Sequence, residues 1–184
     1  VGSEMCIRDS YERLKAKYPD KDMAHSPARY ALAEIVDLHS PALEFEAIHR
    51  IVTGVDAQKL EEKVTEELEL SDSISAQKIV IVKNGVHKEK YVHKPLSKLA
   101  VGSLQTVLDR LLPEAGGKID YIHGTEVVDR LSMNEDTIGF ILPDMAKSEL
   151  FPTVICDGAL PRKTFSMGHA EDKRFYVEAR KIAE

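Results

Sequence analysis

The residues best suited to chemistry lie in the last quarter of the chain, where cations collect before a predicted helix. Arg162 and Lys163 precede Ser166, and Lys173 lies one turn inside a segment of helical spacing. Ser166 is a suitable N-cap, and Gly168 would let a ligand approach the backbone closely. Free amides at a helix N-terminus attract anions. The pattern therefore predicts a site for a phosphate, a nucleotide or a carboxylate.

The same predicted C-terminal helix is amphipathic. One stripe at helical spacing consists of His169, Lys173, Tyr176 and Arg180, and a separate apolar stripe consists of Phe175, Ala179 and Ile182. The apolar stripe would pack on a core, and the charged stripe would face either a cleft or ordinary solvent. Both interpretations of the charged stripe stay open. The candidate anion-binding residues are Arg50, Arg162, Lys163, Ser166, Gly168, Lys173 and Arg174.

Two histidines belong to predicted strands: His49 lies within the strand over 45–52, and His123 lies at the end of the strand over 120–123. His49 comes directly before Arg50, and His123 comes directly before Gly124. Strand ends next to glycine often bind ligands. If the two strands are neighbours, we expect the two histidines to act as general acid and base or to position a phosphate. Taken singly, each could also be a hydrogen-bonded structural histidine.

Other familiar chemistries lack their sequence patterns. The seven histidines show no metal-binding spacing, so no metal site is predicted. The glycine pattern of a Walker loop is absent, and Ser166 lacks the nucleophile-elbow pattern. Cys156 lies in an apolar run and is more typical of a buried small residue than of a nucleophile.

Periodicity predicts an α/β or α+β fold, with a mixed β-sheet and flanking helices in one domain. The acidic-faced helix over 57–68 and the hairpin joined by Asn84–Gly85 are the clearest elements. Further predicted helices lie at 11–18, 103–112, 125–131 and 144–150, and further predicted strands lie at 28–39, 45–52, 120–123 and 138–142.

Composition narrows the class of protein. The chain has 184 residues, 43% of them hydrophobic and 30% charged, with a net charge of −6. An excess of acid argues against general nucleic-acid binding and against binding to anionic membranes. No apolar run reaches the length of a membrane span, and two scattered cysteines fit a reducing compartment. These features predict a cytoplasmic protein.

The first ten residues, VGSEMCIRDS, look foreign to the rest of the chain. They resemble a translated sequencing-adaptor peptide of the kind found in metagenomic assemblies. We therefore expect residues 1–10 to be an artefact, and residues 11–184 to be the C-terminal portion of a single larger α/β domain.

Three stretches resemble an uncharacterised bacterial-type family named domain of unknown function 1015 (DUF1015). They are HSPARYALAEIVDLHSPALEFEAIHRIV (25–52), KIDYIHG (118–124) and DGALPRKTFSMGHAEDKRFYVEARKI (157–182). Members of that family carry an upstream A-D-G-H-H-R-type signature, which this chain lacks. That signature is similar to one in the ParB/sulfiredoxin-like superfamily, whose members include nucleotide-dependent enzymes such as a free-serine kinase.

The resemblance implies two functional hypotheses. The first is an enzyme handling a phosphorylated small molecule or nucleotide, a phosphotransferase in its full-length form. Its cofactor would be a nucleotide with Mg²⁺, and His49 and His123 would serve its catalytic chemistry. The alternative is a non-catalytic regulatory module that binds a protein or a nucleic acid through the basic C-terminal helix. The pattern specifies no oligomeric state.

Overall fold

The computed structural model describes residues 4–30, 35, 37–41 and 43–168, and the chain divides into two compact units. The first unit, within residues 1–37, contains helix α1 (Glu4–Lys17) and a 3₁₀ turn (Pro27–Arg29). In it the Tyr11 hydroxyl donates to the carbonyl of Met23 at 3.4 Å. Helix α1 begins inside the segment interpreted as foreign, and the origin of that segment stays a prediction.

The second unit, within residues 38–172, contains a five-stranded sheet with flanking helices. Its strands are β2 (His49–Thr53), β3 (Gln77–Lys83), β4 (Val86–Val92), β5 (Lys118–Ile122) and β6 (Thr137–Ile141), in the order β4-β3-β6-β2-β5. Its helices are α2 (Ala57–Leu68), α3 (Ala100–Ala115), α4 (Thr125–Leu131) and α5 (Leu150–Asp157). The predicted fold class, a sheet with flanking helices, is confirmed. No helix in the described residues is long and apolar enough to cross a membrane.

The pairing of the strands differs from the expected mixed sheet. Every pairing between described strands is antiparallel. Strands β2 and β3, joined by α2, do run in the same direction, but β6 lies between them and pairs with both. Local periodicity predicts this strand, helix and strand in succession but does not reveal a strand inserted from later in the chain.

Helices pack on both faces of the sheet. One face, with α2 and α3, contains the main core, in which Val52, Ile79, Phe140 and Leu104 are fully buried. On the other face Val128 of α4 forms a smaller cluster with neighbours from β2 and β3. The sheet and its helices thus form a rigid base for the residues at the strand ends.

The hairpin of β3 and β4 is closed by two residues in left-handed conformations. Asn84 has φ 50° and Gly85 has φ 71°, and Lys83 pairs with Val86 on either side of them. Asparagine and glycine adopt this conformation more readily than other residues, which is why the sequence predicts this turn.

A second, two-stranded sheet lies beside the first. It pairs β1 (Phe45–Ala47) with β7 (Phe165–Met167), with Glu46 opposite Ser166. The single strand expected over 45–52 is therefore divided into β1 and β2. Ser166 was expected to cap a helix, but it lies within a strand, so the predicted N-cap is wrong. The amphipathic helix, including Lys173 and Arg174, falls outside the described residues.

Two further predictions need correction. The strand expected from Ala28 to His39 begins instead with the 3₁₀ turn Pro27–Arg29, where Pro27 follows a side-chain cap by Ser26. Residues 31–34 and 36 of that prediction lie outside the described residues. The short helix expected over 144–150 is instead a 3₁₀ turn (Lys147–Glu149) followed by α5.

Candidate functional site

A cavity of about 640 Å³ opens at the end of the five-stranded sheet where β2 begins. Its walls come from Pro41, from residues 43–47 with β1, from residues 124–126 at the start of α4, and from residues 141–144 and 147 at the end of β6 and beyond it. His49 lines it, together with the carboxylates Glu44, Glu46, Glu126 and Asp144 and the ammonium of Lys147.

The surroundings of His49 favour its neutral form. The side chain is 6% exposed, and its Nδ1 accepts a hydrogen bond from the backbone N–H of Leu142 at 3.2 Å. Burial lowers the pKa of His49, and the charge of Arg50 lowers it further against the opposing effect of Asp144. Because an amide can only donate, Nδ1 is unprotonated and Nε2 carries the proton. His49 is therefore a neutral hydrogen-bond donor.

His123 reaches the same end of the sheet because its strand is a neighbour of β2, the condition set from the sequence. In the register of β2 and β5, His49 lies opposite Ile122. The Nδ1 atom of His123 lies 3.6 Å from Oε2 of Glu46, and the two side chains are 36% and 31% exposed. At 3.6 Å these two atoms are too far apart for a hydrogen bond, and the Glu46 carboxylate lies beside the imidazole ring. Glu46 lines the cavity, whereas His123 lies next to it, directly before the lining residue Gly124.

Asp144 and Lys147 complete the cavity and were not among the predicted residues. Asp144 Oδ1 accepts from the backbone N–H of Ala47 at 2.7 Å, and Lys147 Nζ donates to the carbonyl of Ser40 at 2.6 Å. Asp144 follows the predicted strand over 138–142. The rule that selected His123 required a glycine next to the strand end, and Asp144 follows Pro143 instead, so the rule did not select it.

Arg50, expected to bind an anion, is instead buried among protein acceptors. It has no exposed surface, and its Nε donates to Gln105 Oε1 at 3.1 Å. Nη1 donates to the carbonyls of Ile48 and Lys163 at 2.5 and 2.8 Å, and Nη2 donates to the carbonyl of Arg162 at 3.0 Å. Burial lowers the pKa of Arg50 to about 10, so the group is still charged at neutral pH. Arg50 therefore links strand β2 to Gln105 of α3 and to the backbone of residues 162 and 163.

Arg162 and Lys163 form a turn with exposed cationic side chains. The Thr164 hydroxyl donates to the carbonyl of Pro161 at 2.6 Å, and Lys163 has φ 56°. Arg162 donates from Nε to the Tyr121 hydroxyl at 2.5 Å and from Nη2 to Asp109 Oδ1 at 2.6 Å, with 60% of its side chain exposed. The turn thus presents two cations to solvent on a fixed backbone.

Ser166 and Gly168 follow this turn and lie beside β1. Ser166 is 5% exposed and pairs with Glu46, and the N–H of Gly168 donates to the carbonyl of Glu44 at 2.9 Å. The structure therefore brings these two residues to the strand that carries Glu46. Their predicted place at a helix N-terminus is not what the structure shows.

The charges divide into two regions. Four carboxylates and one lysine line the cavity, whereas the turn presents Arg162 and Lys163. An anion is favoured near the turn and a neutral or cationic group in the cavity. Among the described residues, no group of three or more His, Cys, Asp or Glu side chains is placed to hold a metal ion.

A family model described as "Protein of unknown function (DUF1015)" matches residues 8–144. The chain belongs to the DUF1015 family. Within this DUF1015 chain the matched region contains His49, His123, Glu46 and Asp144, and it ends before the turn at 162–163. The match begins at residue 8, inside the segment interpreted as foreign.

Solved structures share the fold of this DUF1015 chain. A "Free serine kinase in complex with AMP" aligns with a TM-score of 0.56 at 15% identity, covering 91% of this chain and 81% of the other. A conserved hypothetical protein from Pyrococcus furiosus aligns with a TM-score of 0.56 at 14% identity, covering 89% and 83%. At such identity the likeness establishes the fold alone. Comparison with curated proteins gives no match. The link to the ParB/sulfiredoxin-like superfamily stays a prediction.

Proposed function

We propose that this chain belongs to an enzyme that transfers a phosphoryl group between a nucleotide and a hydroxyl group of a small molecule. The observation that carries the proposal is the Glu46–His123 pair beside a cavity in which His49 is a fixed neutral donor. The fold of the AMP-bound free serine kinase supports a nucleotide as one ligand. The hydroxyl acceptor would occupy the cavity.

In this mechanism His123 is the base. Its Nε2 accepts the proton of the acceptor hydroxyl as that oxygen forms a bond to phosphorus, and the bond from phosphorus to the leaving oxygen of the nucleotide breaks. Glu46 stabilises the imidazolium that results. The Nε2–H of His49 donates to the acceptor and orients it, which requires no change in its own protonation.

The phosphate end of the site would lie at the 162–163 turn. Arg162 Nε and Nη2 already donate to Tyr121 and Asp109, so Arg162 would bind phosphate oxygens through its remaining N–H groups. Lys163 would act as a point charge, and both would offset negative charge as it develops. Tyr121, which binds Arg162, precedes His123 by two residues on the chain. The contributions of Lys173 and Arg174, and the use of Mg²⁺ with the nucleotide, stay predictions.

The test is phosphoryl transfer by the whole chain. Wild type is incubated with ATP and Mg²⁺ and with a panel of small hydroxyl compounds, and the products are followed by ³¹P NMR. We expect His123→Gln and Glu46→Gln to lower the rate by about 10²-fold or more, because the base and its orienting carboxylate are lost.

The matched control is a second histidine–carboxylate pair, neither member of which lines the cavity. His87 Nε2 lies 2.7 Å from Asp129 Oδ1 on the outside of the second unit. His87→Gln should keep the wild-type rate. The proposal is overturned when no nucleotide raises the melting temperature and no compound becomes phosphorylated, or when His87→Gln and His123→Gln behave alike.

A further inference from the structure

We infer that Arg50 is a positioning residue that joins the two halves of the site, fixing the phosphate-binding turn to the strand end that carries the histidines. This inference rests on the proposed function. Arg50 follows His49 directly, and successive side chains of a strand point to opposite faces of a sheet. One residue pair can therefore serve the cavity on one face and the turn on the other.

The acceptors that surround Arg50 are all of one kind. The four described acceptors are neutral oxygens, and two of them are consecutive carbonyls of the turn, at Arg162 and Lys163. Those carbonyls lie more than 110 residues away along the chain. A guanidinium presents its donors in a rigid planar fork, so it fixes two adjacent carbonyls in a way that an ammonium cannot.

A closed circuit of side chains also fixes Arg162. Arg50 donates to Gln105, Gln105 Nε2 donates to Asp109 Oδ1 at 2.8 Å, and the same carboxylate oxygen accepts from Arg162. Arg162 also binds the Tyr121 hydroxyl, and the Arg50 guanidinium carbon lies 4.9 Å from the centre of the Tyr121 ring. Both the backbone and the guanidinium of Arg162 are thereby set by Arg50.

The turn leads directly into the strand that pairs with β1. Strand β7 begins at Phe165, immediately after Thr164, and pairs with β1 so that Ser166 lies opposite Glu46. The Phe165 ring stacks on Phe45 of β1 with 4.1 Å between ring centres. A displaced turn would shift β7, and with it the strand that carries the partner of His123. Arg50 would thus influence the acid–base pair without touching a ligand.

The experiment measures ADP affinity by calorimetry in variants of the full chain. We expect Arg50→Lys, which keeps the charge but loses the fork, to weaken ADP binding about tenfold. Arg50→Gly leaves a guanidinium-sized space, and millimolar guanidinium should restore much of its ADP affinity. Arg162→Gly should also bind ADP weakly, but guanidinium should restore it less because that side chain is exposed and its space is not enclosed.

Circular dichroism of each variant separates unfolding from altered binding, and Arg50→Lys serves if Arg50→Gly does not fold. If Arg50 served stability alone, guanidinium would not restore the ADP affinity of folded Arg50→Gly. The inference is overturned when folded Arg50→Lys binds ADP as wild type does while Arg162→Gly binds weakly. If Arg162→Gly and Lys163→Ala both bind ADP normally, the proposed phosphate site itself is wrong.

Discussion

The two ends of the five-stranded sheet are closed in different ways. At the turn end, near Asn84–Gly85, the bonds join backbone groups to one another or to an exposed helix cap: Asn84 N–H donates to the Ser132 carbonyl, and Asp56 accepts from Lys59 N–H. At the polar end, near His49 and Arg50, buried side chains bind the backbone of distant segments. Polar groups that are buried and satisfied fix a geometry to within narrow limits, as a ligand site requires. We therefore assign function to the polar end.

The largest loss of stability is expected from substitution of Arg50, at the polar end. Arg50→Met should lower the free energy of unfolding by about 3 kcal/mol or more, because four buried or partly buried oxygens lose their donor. At the turn end, Lys83→Met should cost only about 1 kcal/mol, since Glu61 keeps Lys88 as a partner at 2.6 Å. Urea denaturation at neutral pH measures both. Equal losses for the two variants would remove the distinction between the ends.

The sequence predicts the structure of the turn end better than that of the polar end. The helix over 57–68 and the turn at Asn84–Gly85 were predicted because their signals are local: an apolar stripe and two residues that tolerate positive φ. The proximity of His49 and His123 could be predicted only on the condition that their strands are neighbours, because the sequence of a strand does not identify the strand it pairs with.

The roles of Arg50 and Ser166 could not be predicted from local pattern. From sequence, an arginine beside a histidine indicates an anion site. The sequence does not show that the donors of Arg50 instead bind carbonyls more than 110 residues away along the chain. Ser166 before a helical pattern indicates an N-cap, but pairing with β1 places it in a strand. In both cases the deciding partner comes from a distant part of the chain, which periodicity does not encode.

A smaller loss is expected at Ser103, a fully buried hydroxyl of α3 that lies near the start of β3. Its Oγ accepts from Leu96 N–H and Ser97 N–H and donates to Gln77 Oε1 at 2.8 Å. Ser103→Ala should cost about 1–2 kcal/mol because these donors lose their acceptor. Thr106→Ala is the control on the same helix, because the Thr106 hydroxyl donates within that helix to the carbonyl of Gly102 at 2.8 Å. A similar loss for both would argue against the importance of the long-range bonds.

The lowered pKa of His49 makes stability depend on pH at the polar end. The unfolded chain binds a proton near its ordinary pKa of about 6.5, whereas the folded chain does so only at lower pH. The unfolded state therefore holds more protons below this value, and stability should fall as the pH drops from about 7 to about 5. His49→Asn keeps an acceptor for Leu142 N–H and should flatten the profile. An unchanged slope in His49→Asn would show that His49 titrates normally.

The smallest effect is expected at the turn end, where the geometry is local and replaceable. Asn84→Gly should change the free energy of unfolding by no more than about 0.5 kcal/mol, because glycine adopts φ 50° without strain and loses only chain entropy. Asn84→Ala should cost about 1 kcal/mol, because its Cβ disfavours the left-handed region. Neither variant should change ADP affinity, since the turn lies at the opposite end of β3 from Gln77. A change in ADP affinity without a change in stability would mean that the turn end also contacts the ligand, and the functional separation of the two ends would fail.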